Sequence, residues 1–143
     1  MVAEDVMTRG IMSIKKGATV AEAMKKMMDR RVTSLLVKIK NIENRESKSC
    51  KDFGIVTRRD ICYAIIEKHP LDIKVEDIVS FPLVTVPRDL AVREILELMK
   101  RKNIRRVPVV DRKNNIIGLV SNSDILRAVT IEILEEEMLP KEE

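Results

Sequence analysis

Two hydroxyl residues are each followed, three positions later, by an aspartate, and this spacing could serve ligand binding. Thr57 precedes Asp60, and Ser121 precedes Asp124. In both places an apolar run typical of a buried strand comes before the hydroxyl, and apolar residues at helical spacing follow the acid. The sequence therefore predicts that each pair lies where a strand passes into a helix.

Such a junction can bind a nucleotide or a nucleoside. The free amides of a helix N-terminus bind anions, and ligands commonly bind outside the carboxyl ends of strands. A carboxylate one turn into the helix can accept both hydroxyls of a ribose. The same spacing also suits a helix cap, in which the hydroxyl accepts from a first-turn amide and the acid lies near it. Capping is the commoner role for a single pair, so both interpretations stay open.

The two pairs belong to an internal duplication. The stretch GIVTRRDI, residues 54–61, recurs as GLVSNSDI at residues 118–125, and residues 3–40 align with residues 75–112. Matching segments in the same order along the chain indicate two copies of one supersecondary unit.

The copies are expected to pack together rather than to hang on a linker. One copy alone would bury little core, whereas the pair has the size of an ordinary domain. An insertion in the first copy falls in the polar stretch 41–52, where a loop tolerates it. The sequence therefore divides into repeats at residues 1–71 and 72–143, which together form one compact module.

Composition sets broad limits on the class of protein. The chain has 143 residues, 45% of them hydrophobic and 35% charged, with a net charge of +4. We expect no membrane span and no signal peptide, and hence a cytoplasmic protein. The spacing of Cys50 and Cys62 suggests neither a disulfide framework nor a metal pair. The charged fraction and the scarcity of aromatic residues hint at a thermophile.

Most basic residues are expected on solvated helix faces. Arg58 is the exception, because it follows the first motif hydroxyl directly and would lie at the mouth of a phosphate site. Asn122 takes its place in the second copy, so the first site suits a polyphosphate better.

The pattern along the chain predicts the same order of elements twice. Thr19 and Glu22 form a capping box for a helix over residues 19–30, with Met28 on its apolar side. Ala91 replaces Thr19 in the second copy, where Asp89 could cap instead. Strands are expected at residues 12–14, 34–39, 50–57, 83–86, 106–110 and 116–121, and further helices at residues 58–68, 91–102 and 122–138.

The repeat resembles the cystathionine β-synthase (CBS) domain, and two in tandem resemble a stand-alone Bateman module. The resemblance rests on the paired GIVTRRDI and GLVSNSDI, on the VEDI-like opening of each copy and on IRRVPVVD at residues 104–111. It implies an α/β (α+β) fold of two β-α-β-β-α repeats. The repeats would pack through their sheets with pseudo-two-fold symmetry and leave two clefts.

The resemblance also implies a ligand and the residues that hold it. The ligand would be an adenosine compound, namely AMP, ADP, ATP or S-adenosylmethionine. The ribose hydroxyls would be held by Asp60 and Asp124. Phosphate or ribose would meet Thr57, Ser121, Arg58 and Asn122. The adenine slot would be lined by Met12 and Val84, and the opposite wall by Thr33, Ser34, Leu35, Arg106, Val107 and Pro108.

These implications favour a regulatory module that senses an adenosine compound and acts on a protein partner in trans. A ligand-free scaffold that forms homodimers is the alternative. Nucleic-acid binding is less favoured, because the basic residues are spread out and no aromatic stacking set accompanies them. We expect neither an enzyme nor a catalytic cofactor. The sequence offers no catalytic set, and His69 beside Pro70 reads as a solvated cap.

Overall fold

The computed structural model describes residues 1–137, and each repeat contributes three strands and three helices. The elements of the first repeat are α1 (Ala3–Val6), β1 (Ser13–Ile14), α2 (Val20–Arg30), β2 (Ser34–Lys38), β3 (Phe53–Thr57) and α3 (Arg58–Glu67). Those of the second are α4 (Val75–Ile78), β4 (Val86–Pro87), α5 (Val92–Lys102), β5 (Arg106–Val110), β6 (Ile116–Ser121) and α6 (Asn122–Glu137). The expected end of the last helix, Met138, lies outside the described residues.

Two three-stranded sheets have the same topology. The strand orders are β1-β2-β3 and β4-β5-β6, with the first pair of each sheet parallel and the second antiparallel. Gly54 lies opposite Val37 in one sheet, and Gly118 lies opposite Val109 in the other. The expected pair of β-α-β-β-α repeats is confirmed.

The two amphipathic helices after the first strands fill the cores in the same way. Val20, Ala23 and Met27 of α2 are buried, whereas Met28 is 77% exposed, so its expected place on the apolar side was wrong. Thr19 caps α2 by accepting from the Glu22 amide at 3.1 Å. Among the described residues no side chain caps α5, and the cap suggested for Asp89 does not form.

The strand expected at residues 83–86 is displaced, and β4 spans Val86–Pro87. In the first repeat the Leu36 amide donates to the Met12 carbonyl at 3.0 Å, next to the β1–β2 ladder. Pro108 stands in the matching position of the second repeat and has no N–H to donate. The parallel pairing therefore begins one residue later.

The leading segment of each repeat packs on the other repeat. The Ala3 amide donates to the Leu90 carbonyl at 2.9 Å, and the Val75 amide donates to the Ala18 carbonyl at 2.9 Å. Helix α1 therefore joins the second core and α4 the first. The buried residues of the first core are Val20, Ala23, Met27, Leu35, Val37, Val56, Ile61, Ile73 and Val75. Those of the second are Ala3, Val86, Val92, Ile95, Met99, Val107, Val109, Val120 and Ile125. The division at residue 72 stays a prediction about the repeats, because both cores cross it.

Hydrogen bonds also join the inserted loop of the first repeat to the hairpin of the second. The Cys50 amide donates to the Asn114 carbonyl at 2.8 Å, and the Ile116 amide donates to the Lys48 carbonyl at 2.8 Å. The inserted loop of the first repeat thus binds the hairpin of the second.

Within residues 1–137 no helix combines the length and the apolar character that crossing a membrane requires.

Candidate functional site

Both hydroxyl–aspartate pairs cap their own helices. In the first, the Thr57 amide and hydroxyl donate to Asp60 Oδ2 at 2.9 and 2.8 Å, and the Asp60 amide donates to Thr57 Oγ1 at 3.2 Å. In the second, the Ser121 amide donates to Asp124 Oδ2 at 3.1 Å, and the Asp124 amide donates to Ser121 Oγ at 3.1 Å. The capping interpretation is therefore confirmed for both pairs.

The first pair also faces a cavity of about 620 Å³ between the two repeats. The amides and carbonyls of Ile55 and Ser80 exchange hydrogen bonds at 3.0 and 2.9 Å, which brings residues 80–84 of the second repeat against β3. From the first repeat the lining residues are Thr33, Ile55, Thr57, Arg58, Arg59, Asp60, Cys62 and Tyr63. From the second they are Ser80, Pro82, Leu83, Val84, Asn103, Ile104, Arg105, Arg106 and Pro108.

One oxygen of Asp60 is available at this cavity. Oδ2 carries the cap, whereas Oδ1 accepts no hydrogen bond from any described residue. Asp60 itself is half-buried. A half-buried carboxylate with an unused oxygen can accept hydroxyl groups from a ligand.

Four arginines converge on the cavity from both repeats: Arg58, Arg59, Arg105 and Arg106. None of them forms an ion pair with another residue of the described chain. Arg106 is half-buried and donates from Nη1 to the Thr33 carbonyl at 3.4 Å. Burial lowers the pKa of Arg106 first of all, and the positive charges of Arg58 and Arg105 lower it further. The cavity therefore carries excess positive charge.

The second pair has different surroundings. Asp124 has a side chain that is 17% exposed, and its Oδ1 lies 3.5 Å from Nη1 of Arg127. Ser121, Asn122 and Asp124 line neither the large cavity nor a smaller one of about 290 Å³ in the described structure. That smaller cavity is lined by Gly10, Ile11, Ser13, Leu36, Lys48, Phe53, Ile116 and Ile117.

A sequence model of the CBS domain matches residues 2–67 and 75–131. This chain belongs to the CBS domain family. The two matches coincide with the two repeats, so the chain is a CBS domain pair. The expected family and fold are both confirmed.

Comparisons with individual proteins agree with this assignment. Protein MK0525 of Methanopyrus kandleri is 31% identical over 138 residues, which cover 94% of this chain and 66% of that protein. The chain spans only 23% of the length of three other relatives. The hexameric CBS-CP12 protein from bloom-forming cyanobacteria superposes with a TM-score of 0.77 at 31% identity, covering 96% of this chain and 79% of that one.

A third comparison is with the CBS domain pair of protein MJ0100, solved in complex with 5′-methylthioadenosine and S-adenosyl-L-methionine. It superposes with a TM-score of 0.76 at 23% identity and covers 92% of this chain and 98% of that chain. At this level of identity the likeness shows a shared fold.

Of the residues that the sequence assigned to ligand binding, seven meet at the large cavity of this CBS pair: Thr33, Thr57, Arg58, Asp60, Val84, Arg106 and Pro108. The sequence did not pair the first motif with Val84 of the other repeat. Residues that sequence reasoning missed include Arg59, Arg105 and Tyr63. The available signal was the pairs of consecutive arginines at residues 58–59 and 105–106. Most basic residues of the chain were expected on solvated helix faces, so these pairs were not all assigned to the site.

Three of the assigned wall residues, Ser34, Leu35 and Val107, lie elsewhere, and this corrects the prediction. Leu35 and Val107 are 1% and 0% exposed and belong to the two cores. Side chains alternate along a strand, so Val107, between Arg106 and Pro108, points away from the cavity. Leu35 is the matching residue of β2 and is buried in the first core in the same way. Ser34 is buried and Met12 packs at the edge of the first core, and neither lines the large cavity.

Two further observations concern metal ligands and His69. Within residues 1–137 no group of three or more His, Cys, Asp or Glu side chains is placed to hold a metal ion. His69 accepts from the Leu71 amide through Nδ1 at 3.2 Å and so caps the short turn Pro70–Asp72, as its position suggested.

Proposed function

We propose that this CBS pair is a regulatory module that binds AMP, ADP, ATP or S-adenosylmethionine in the cleft at Asp60 and thereby modulates a protein partner in trans. The observation that carries the proposal is the unused Oδ1 of Asp60 beside a cavity of about 620 Å³. Pockets for small ligands commonly measure roughly 300–1,000 Å³.

The lining suits the three parts of a nucleotide. The hydroxyl groups of a ribose placed at Asp60 would donate hydrogen bonds to the carboxylate. The apolar side chains of Ile55, Val84 and Pro108 offer a slot for the base. The phosphates would then face the arginines at the helix start. The adenosine compounds bound to the MJ0100 pair, which shares this fold, support the choice of ligand class.

Regulation would follow from the position of the cleft between the repeats. A ligand there touches both repeats, because Asp60 lies on the first and Val84 on the second. It can shift the module between two arrangements only if it binds one more tightly than the other. A partner that contacts both repeats would then respond to the ligand.

A comparison of Asp60→Ala with Asp124→Ala tests the proposal. Each substitution removes a helix cap, so both should lower stability. Asp60→Ala also removes the hydrogen bond from Thr57 Oγ1, and Asp124→Ala removes the contact with Arg127. Only Asp60→Ala should weaken binding, by roughly 10- to 100-fold, because a hydrogen bond to a charged group contributes about 1.5–3 kcal/mol. Isothermal titration calorimetry with each of the four compounds measures the effect. Equal affinity in the wild type and both variants would sink the proposal.

Mass spectrometry of small molecules released from the purified protein gives an independent check. We expect an adenosine compound in stoichiometric amount, and its mass identifies it. Release of an unrelated metabolite would redirect the proposal to that compound.

A second candidate function is an interaction scaffold that forms homodimers. It is favoured by large apolar side chains that are exposed on the last helix of each repeat. Tyr63 and Ile66 of α3 are 62% and 78% exposed, and Leu126 of α6 is 68% exposed. Light scattering during size exclusion measures the assembly state. A dimer whose thermal midpoint ignores all four compounds would favour the scaffold over the sensor.

A further inference from the structure

The arginines of the large cavity are divided between the repeats. Arg58 and Arg59 begin α3 of the first repeat, whereas Arg105 and Arg106 lie at the start of β5 in the second. Among the described residues that line the cavity, Asp60 is the one carboxylate. The arginines of the two repeats therefore face one cavity, and a single carboxylate balances only part of their positive charge.

This arrangement is unfavourable without a bound anion. Like charges close to each other repel, and they do so more strongly where water is partly excluded. Burial lowers the pKa of Arg106, and the charge of Arg58 in the other repeat lowers it further, whereas Asp60 raises it. Arginine nevertheless stays protonated at neutral pH. An anion placed between the two pairs would remove the repulsion and hold the repeats to each other.

The fold does not require these charges. The matching positions in the duplicated sequence are neutral, namely Asn122 and Ser123 for the first pair and Thr33 and Ser34 for the second. Those four residues occupy the same elements of the other repeat, and the two sheets keep one topology. A structural role common to both repeats therefore does not explain the arginines. Arg106 donates to the Thr33 carbonyl and Arg59 lies over the Tyr63 ring, but neither contact supplies a negative charge that a bound anion would.

We propose that the first cleft selects nucleotides with two or more phosphates, which Arg58 and Arg59 clamp from one repeat and Arg105 and Arg106 from the other. The proposal rests on the proposed function and narrows it to ADP and ATP. Guanidinium groups bind phosphate oxygens through paired, charge-assisted hydrogen bonds. The positive potential of the arginines disfavours the cationic sulfonium of S-adenosylmethionine, and it adds no affinity for uncharged adenosine.

The test is calorimetric titration of the whole chain with ATP, ADP, AMP, adenosine, S-adenosylmethionine and inorganic triphosphate, without divalent cations. Two variants copy the other repeat, Arg58→Asn with Arg59→Ser and Arg105→Thr with Arg106→Ser. Arg45→Ser with Arg112→Ser is the matched control, because both are exposed and outside the cavity and the change in charge is the same. Thermal unfolding of each variant checks that it folds.

We expect ATP and ADP to bind at least about 10-fold more tightly than AMP, adenosine and S-adenosylmethionine. Either cavity variant should lose about 10- to 100-fold in ATP affinity, as the loss of charge-assisted hydrogen bonds implies. The control should keep its affinity within about 2-fold, and added salt should weaken ATP binding far more than adenosine binding.

The outcomes separate this inference from the proposed function. AMP, adenosine or S-adenosylmethionine binding as tightly as ATP would overturn the clamp and leave the adenosine sensor standing. Triphosphate binding as tightly as ATP would overturn the adenosine function, since the nucleoside would then contribute nothing. If a cavity variant fails to fold, the wild-type ligand order and its salt dependence still decide the question.

Discussion

The two hydroxyl–aspartate pairs of this CBS pair share a helix cap and differ in the residues around it. Asp60 and Asp124 both cap a helix through Oδ2. The remaining oxygen of Asp124 lies near Arg127, whereas Tyr63 occupies the matching place in the first repeat and leaves Asp60 open to the cavity. The repeated spacing therefore indicates a helix cap in both repeats. Under the proposed function, the neighbours of each aspartate decide whether a ligand can bind there.

The largest difference between the repeats is expected at the motif glycines. A methyl group on Gly54 would lie 2.8 Å from the Ser80 carbonyl oxygen and against Val79, whereas one on Gly118 would meet the flexible side chain of Met7. Gly54→Ala should cost about 2–3 kcal/mol of unfolding free energy and Gly118→Ala about 1 kcal/mol, because backbone yields less than a side chain. Chemical denaturation measures both. Equal losses would show that the surroundings of the two glycines yield equally to an added methyl group.

The next difference concerns the helix caps of α2 and α5. Thr19→Ala removes a cap and should cost about 1 kcal/mol, and Ala91→Ser should add a cap and gain up to about 1 kcal/mol. Ala91 already has the extended backbone of a capping residue, with φ −62° and ψ 139°. Denaturant midpoints of the two variants check the signs. A loss of stability in Ala91→Ser would mean that the second repeat cannot accept the cap of the first.

The smallest effect is expected where the leading helices are fastened. Glu4 accepts from Arg88 Nε at 2.9 Å, whereas Glu76 accepts from the Gly17 amide at 3.0 Å. The hydrogen bond from Arg88 lowers the pKa of Glu4 below its ordinary value of 4.5. A lowered carboxyl pKa adds stability above the ordinary value, and this stability is lost as the pH falls through the lowered one.

Glu4→Gln should therefore lower the thermal midpoint slightly at neutral pH, and the deficit should vanish in acid. Glu76→Gln keeps an oxygen that accepts from Gly17 and serves as the control. Thermal melts between neutral and strongly acidic pH measure both. A deficit for Glu4→Gln that is the same at every pH would assign the effect to packing rather than to the ion pair.

Local features of this chain were readable from its sequence. The caps at Thr57 and Ser121 and the strands β5 and β6 follow from hydroxyl spacing and apolar runs, which depend on neighbours along the chain. The displacement of β4 was missed, because its cause is the absent amide of Pro108 on a different strand.

The composition of the cleft was harder to predict. Arg59 and Arg105 line the same cavity because contacts between the repeats, such as Ile55–Ser80, hold the second repeat against the first. No periodicity within one repeat encodes that approach. Leu35 and Val107 were misassigned for a related reason, since the face of each strand that meets the cavity is set by how the sheets are placed.

The reciprocal placement of α1 and α4 has a consequence for how two unlike pockets can arise. A pair of separate one-repeat chains that lent each other these helices would be a symmetric homodimer, and every residue would appear in both pockets. Fusion into a single polypeptide removes that obligation while keeping the exchange. One motif can then be followed by Arg58 and Arg59 while the other keeps Asn122 and Ser123, so a single ancestral motif can diverge at two places within one chain.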